Sequence, residues 1–132
     1  MEHDHVCIIT SDAEKLMAWY KEKLGFEFIH SWTVDAMPGL QLYYIGRDHF
    51  KIELVGNVPG HRETGANPLE QITAGYNHFA ISVESIDATM EELEKKGVQI
   101  AAPVMDVPQA GIRASMITDG DGNLIEIIEK IA

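Results

Sequence analysis

Asn77-His78-Phe79-Ala80-Ile81-Ser82-Val83 is a short apolar stretch that opens on a histidine, and it has a counterpart near the start of the chain, Asp4-His5-Val6-Cys7-Ile8-Ile9-Thr10. The two histidines lie 73 positions apart. A glutamate inside a second apolar run follows each stretch, in Lys51-Ile52-Glu53-Leu54-Val55 and Leu124-Ile125-Glu126-Ile127-Ile128. These glutamates are also 73 apart, so each half carries a His and, 48 positions later, a Glu. At the same offset Ile8/Ile81, Met17/Met90, Lys23/Lys96, Asp48/Asp121 and Ile52/Ile125 are identical pairs, and Gly25 and Gly97 match with a slip of one. Two copies, rather than many, point to a pseudo-twofold domain and not to a solenoid.

Each copy reads as β-α-β-β-β, an α+β arrangement. In the first, a strand over residues 5–10 leads to a helix with a capping box at Ser11-Asp12-Ala13-Glu14. Ala13, Leu16, Met17, Tyr20 and Leu24 recur at helical spacing, and Gly25 supplies the left-handed stop. Strands are expected over 26–34, 40–45 and 50–55, with Gly46 to His49 as a hairpin turn. In the second, a strand over 76–83 is followed by a helix capped near Ser85, with Ile86, Met90 and Leu93 as its apolar face and Gly97 as its end. Strands follow over 98–101, 112–118 and 124–129, with 103–110 as a connection and Asp119 to Asn123 as a tight turn. Module 1 thus spans about 3–55, a linker 56–75 and module 2 about 76–130, all within one domain of 132 residues. The linker is punctuated by Gly and Pro, with at most one helical turn around Leu69 to Thr73. Its length suggests that it also borders a site.

Composition narrows the function classes. A net charge of −11 repels phosphate backbones, and no Lys/Arg stripe offsets it, which argues against nucleic acid. No apolar run reaches about 18 residues, so no membrane span is expected. No signal peptide is visible at Met1 to His5. With 1 cysteine there is no internal disulfide, and a reduced cytoplasmic setting fits.

If the two copies pack around a pseudo-twofold, equivalent side chains face each other across the axis. For His5 and Glu53 to act together, the first and last strands of their unit must be neighbours and both side chains must share a face. His78 and Glu126 would do the same in the second copy. Two imidazoles and two carboxylates suit one divalent ion, Ni, Zn, Co, Mn or Fe, with waters or substrate completing the shell. A closed structural zinc prefers thiolates. The bland alternatives are a satisfied core histidine and a glutamate on the wet face of a sheet. Against them, an ionised Glu in an apolar run needs a partner, and the same His and Glu occur twice at one spacing.

Other candidates are weaker. Cys7 would share the face of His5, as a neighbour of the cavity or as filler. Asp119-Gly-Asp-Gly-Asn begins like a calcium loop but lacks the closing Glu. His61 and Arg62 could meet an anionic substrate, and Arg113 is a substrate contact if it points inward. His30 and His49 have no evident partner. Trp19 and Trp32 read as packing.

The chain resembles the vicinal oxygen chelate superfamily, which includes glyoxalase I, bleomycin-resistance proteins, fosfomycin-resistance enzymes, methylmalonyl-CoA epimerase and extradiol dioxygenases. The carriers are His5-Val6-x-Ile8, Tyr20-x-x-x-Leu24-Gly25-Phe26, Ile52-Glu53-Leu54, His78 to Val83, and Asp119 to Glu126. The resemblance implies paired βαβββ modules forming a cleft around one divalent ion, built within one chain or across a homodimer. His5, Glu53, His78 and Glu126 fall on the glyoxalase I ligand positions, and Asn57 falls where that enzyme contacts glutathione. Ile9 stands where glyoxalase I has an Arg that helps to hold glutathione. The implied activity is a metal-dependent lyase or isomerase acting on a small α-ketoaldehyde–thiol adduct through an enediolate, with Glu126 as base and Glu53 as its symmetric alternative. Other superfamily roles are an epimerase, a thiol-transferase, or a metal-free drug-binding protein of the bleomycin-resistance kind.

Overall fold

The 73-residue offset reappears in the hydrogen-bonding register of the strands. The structure, a computed structural model, describes residues 1–60 and 74–131. The first half contains β1 (Val6–Ile9), α1 (Ala13–Leu24), β2 (Glu27–Trp32), β3 (Gln41–Arg47) and β4 (Phe50–Gly56). The second contains β5 (His78–Ser82), α2 (Ile86–Lys95), β6 (Ile100–Val107), β7 (Ile112–Thr118) and β8 (Leu124–Lys130). Each half forms a four-stranded sheet, in the orders β1-β4-β3-β2 and β5-β8-β7-β6. First and last strands are parallel neighbours in both: Val6 lies beside Ile52, and Phe79 beside Ile125. The fold is therefore α+β with two βαβββ modules, and the chain divides into two compact units, Met1–Arg62 and Glu63–Ala132.

Alternation along the last strand of each sheet separates the core from the other face. In the first unit Ile52 and Leu54 are fully buried with Ile45, and Leu16, Tyr20 and Leu24 of α1 and Phe26 share their burial. In the second, Ile125 and Ile127 are buried with Ile117 and with Ile86, Met90 and Leu93 of α2. Burying each of these large side chains fully is worth about 1.5–3 kcal/mol. Lys51, Glu53 and Val55, and likewise Glu126 and Ile128, fall on the opposite face, where they are half-buried. Gly56 lets α1 approach β4: a Cβ there would stand 2.5 Å from the Ala13 Cβ.

Several local expectations shift. The N-cap of α1 is Asp12, not Ser11: its carboxylate accepts from the Lys15 N–H at 3.0 Å, so the cap falls one residue later than the Ser-x-x-Glu pattern predicts. Ser85 caps α2 as expected, accepting from the Ala88 N–H. Gly25 ends α1 at φ 72°. The strand expected over 98–101 runs instead to Val107, through Pro103, a position the sequence assigns to a connection. Pro103 is tolerated because β6 is an edge strand and its register shifts between Ala102 and Met105. A register shift between Phe28 and His30 likewise breaks the alternation of β2. Gly56, assigned to the linker by sequence, ends β4. The helical turn at 69–73 and the His61-Arg62 pair lie outside the described residues.

Candidate functional site

In the first unit the parallel ladder sets Cys7 beside Glu53. His5 lies two residues before Cys7, so alternation gives it the same face. On the other flank of Glu53 the antiparallel ladder places Tyr44. The His5 ring meets the Tyr44 ring edge-on at 5.5 Å. His5 Nδ1 lies 2.6 Å from Asp4 Oδ2, and Lys51 Nζ lies 3.1 Å from the same oxygen. Lys51 also sits over the Tyr44 ring, 4.5 Å from its centroid. Hydrogen bonds from His5 and then Lys51 hold the Asp4 carboxyl below the usual carboxylate range. Cys7 is exposed as a residue, yet partial burial of its sulfur, and after that the Glu53 carboxylate accepting its S–H, push the thiol up to about 11.

The second unit repeats the arrangement with different company. His78 and Glu126 share a face of the β5–β8 pair, and Ala80 is the residue beside Glu126. His78 Nε2 stands 3.6 Å from Glu126 Oε1. His78 Nδ1 is 2.7 Å from Asn77 Oδ1. On β7 the partner of Glu126 is Met116, where the first unit has Tyr44 beside Glu53. The two half-sites therefore match in His and Glu and differ around them, polar and aromatic in one and aliphatic in the other.

The donor set fits a divalent ion in kind. Each half presents one imidazole and one carboxylate on a single sheet face, and in both histidines Nδ1 is already engaged, which leaves Nε2 as the ring nitrogen that could take a cation. Among the described residues no group of three or more His, Cys, Asp or Glu side chains is gathered closely enough to hold a metal. What the structure brings together is the pair His78–Glu126, and, on one face, His5 with Glu53.

The two substrate-binding candidates are occupied elsewhere. Arg113 pairs with Glu129 across β7–β8 and so faces away from Glu126. Its guanidinium clamps Asp87 at 2.9 and 3.2 Å and Asp106 at 3.0 Å, ion pairs that hold it charged. Arg113 therefore does not meet the inward-pointing condition on which its substrate role depended. Asn57 adopts φ 65° and donates its amide to the Gly39 carbonyl at 3.1 Å, tying the end of β4 to the β2–β3 loop. Asp119 accepts from the backbone N–H of Asp121 and Asn123 and from the Asn123 amide, so the Asp-rich segment is an Asx-type hairpin turn. His30 stacks on Trp32 at 5.7 Å and Trp32 packs on Tyr44. Asp4, Asn77, Tyr44 and Lys51 were not singled out by sequence. A signal for two of them was there: Asp4 and Asn77 each stand immediately before a candidate histidine.

The sequence profile of the Glyoxalase/Bleomycin resistance protein/Dioxygenase superfamily matches residues 3–127. The chain is 32% identical over 126 residues to YwkD of Bacillus subtilis (strain 168), covering 96% of this chain and 94% of that protein. It is 27% identical over 129 residues to a probable chloroplastic lactoylglutathione lyase of Arabidopsis thaliana, covering 96% of this chain and only 35% of that protein. The crystal structure of a glyoxalase family protein from Enterococcus faecalis superposes with a TM-score of 0.79 at 22% identity, covering 97% of both chains, a likeness of fold.

Proposed function

We propose, from the premise that this chain belongs to the Glyoxalase/Bleomycin resistance protein/Dioxygenase superfamily, that it is a divalent-metal-dependent lyase or isomerase of the glyoxalase I type. The substrate in this reading is a small molecule with two adjacent oxygens, such as an α-ketoaldehyde–thiol adduct. His5, Glu53, His78 and Glu126 are the residues that would hold the ion, whether the modules pair within one chain or across a homodimer. The observation that carries the reading is the His78–Glu126 pair at 3.6 Å, on strands whose register is repeated at His5 and Glu53. The ion, when bound, supplies Lewis acidity toward the substrate oxygens.

The remaining work falls to the chain's own groups. A base must take the proton from the carbon next to the carbonyl and return it to the neighbouring carbon. Glu126 suits that task better than Glu53. Glu53 has Cys7 beside it in the ladder, a thiol that can donate to its carboxylate. Glu126 has Ala80 and Met116 as strand neighbours, neither of which has a side-chain N–H or O–H to restrain the carboxylate. With Ile9 at the position of the glutathione-anchoring Arg and Arg113 turned away, Asn57 is the remaining candidate contact to a glutathione thiol component in this reading. Its setting is the reduced cytoplasm.

The test is isomerisation of hemithioacetals by wild type and Glu126→Gln, with metal content measured alongside. The variant should fold and lose about 10²–10⁴-fold in turnover, the range for a positioned base. Full activity in the variant contradicts the role. Metal bound by wild type without isomerisation moves the reading to another chelating substrate. No metal after supplementation moves it to a binding protein.

A further inference from the structure

Two hydrogen bonds to the candidate ligands are related by the duplication although the residues that make them differ. Asp4 engages His5 Nδ1 at 2.6 Å, and Asn77 engages His78 Nδ1 at 2.7 Å. Asp4 and Asn77 are again 73 positions apart, each directly before its histidine. We infer that Asp4 and Asn77 are positioning residues that fix both imidazoles in the tautomer protonated at Nδ1, so that both Nε2 lone pairs are presented to a cation. The inference rests on the reading of His5 and His78 as metal ligands.

The direction of each bond follows from chemistry. Asp4 Oδ2 lies 3.1 Å from the Lys51 ammonium as well as 2.6 Å from His5 Nδ1, and a carboxylate in an ion pair only accepts, so Nδ1 carries the proton. Asn77 meets the ring through Oδ1, an acceptor, so Nδ1 of His78 carries the proton too. Stability does not account for these bonds. The Asp4 side chain is 68% exposed, and an exposed pair of this kind contributes little to folding. What they do set is which ring nitrogen is free. The two are not equal. Asp4 is an anion braced by Lys51, which in turn lies over Tyr44, the ring that meets His5 edge-on. Asn77 is a neutral acceptor. A carboxylate on Nδ1 makes the imidazole the more basic ligand, so His5 is the stronger donor of the two.

The test uses the metal-free full chain and then Zn²⁺ as the probe. Long-range ¹⁵N correlation spectra, recorded where the imidazoles are neutral, should show His5 and His78 protonated at Nδ1. Asp4→Ala and Asn77→Ala should each move the adjacent histidine alone to the Nε2-protonated form. Asp4→Asn and Asn77→Asp keep an acceptor and should retain the wild-type tautomer. Zn²⁺ affinity should fall about 10- to 100-fold in each alanine variant, the usual cost of losing such a partner. It should fall less in Asp4→Asn and rise in Asn77→Asp. Nε2-protonated rings in wild type overturn the inference. Alanine variants with unchanged tautomers, or with unchanged Zn²⁺ affinity where wild type binds, overturn it too. If wild type binds no Zn²⁺, the metal reading fails and the tautomers alone decide the inference.

Discussion

Glu53 and Glu126 occupy equivalent positions in their strands, and their neighbours separate them. One has a thiol and a tyrosine alongside, the other an alanine and a methionine. The sequence alone does not separate them, because the partners that distinguish them, Cys7 and Tyr44 against Ala80 and Met116, are set by strand register. Arg113 gives the complementary lesson. An Arg in an apolar strand invites a substrate role, and only the register, Arg113 with Glu129 and Met116 with Glu126, shows that the two side chains lie on opposite faces. Arg113→Ala should leave turnover unchanged. It should change stability little, since its acidic partners are largely exposed. Steady-state kinetics and a denaturation curve on the same preparation check both. A fall in kcat/KM with unaltered stability would restore the substrate role.

At the scale of elements, periodicity carried most of what could be read. The apolar faces of α1 and α2 and the glycine stop of α1 follow from spacing, and the adjacency of first and last strands from the repeat, while their parallel sense comes from the ladder. Edge strands were harder. A proline in β6 looked like the end of a strand because an interior ladder cannot accommodate it, whereas an edge with a register shift can. Helix caps were legible to within one residue, since Ser11 and Asp12 are both capable caps and backbone geometry chooses between them. The approach of α1 to β4 is glycine-dependent. Gly56→Ala sets a methyl against Ala13, so either α1 or the end of β4 must shift. The expected loss is about 1–3 kcal/mol, the usual cost of overpacking. It is read as a lower denaturant midpoint with the slope unchanged. An unaltered midpoint would mean that α1 does not sit that close to β4.

For the whole molecule, the duplication is the organising fact. It set the fold class, it paired His with Glu in each half, and it led to Asp4 and Asn77 once the hydrogen bonds were visible. Sequence could not supply the surroundings of the pairs, because the positions flanking each glutamate differ between the halves, Cys7 and Tyr44 in one and Ala80 and Met116 in the other. Metal stoichiometry, by elemental analysis of the full chain after supplementation with Ni, Zn, Co, Mn and Fe, decides whether both halves serve one cation, with His5→Ala and His78→Ala measured beside wild type. One divalent ion per chain is expected, lost when either histidine is replaced, although the two belong to different halves. An ion retained in both variants, or no ion in wild type under any of the five metals, would contradict it.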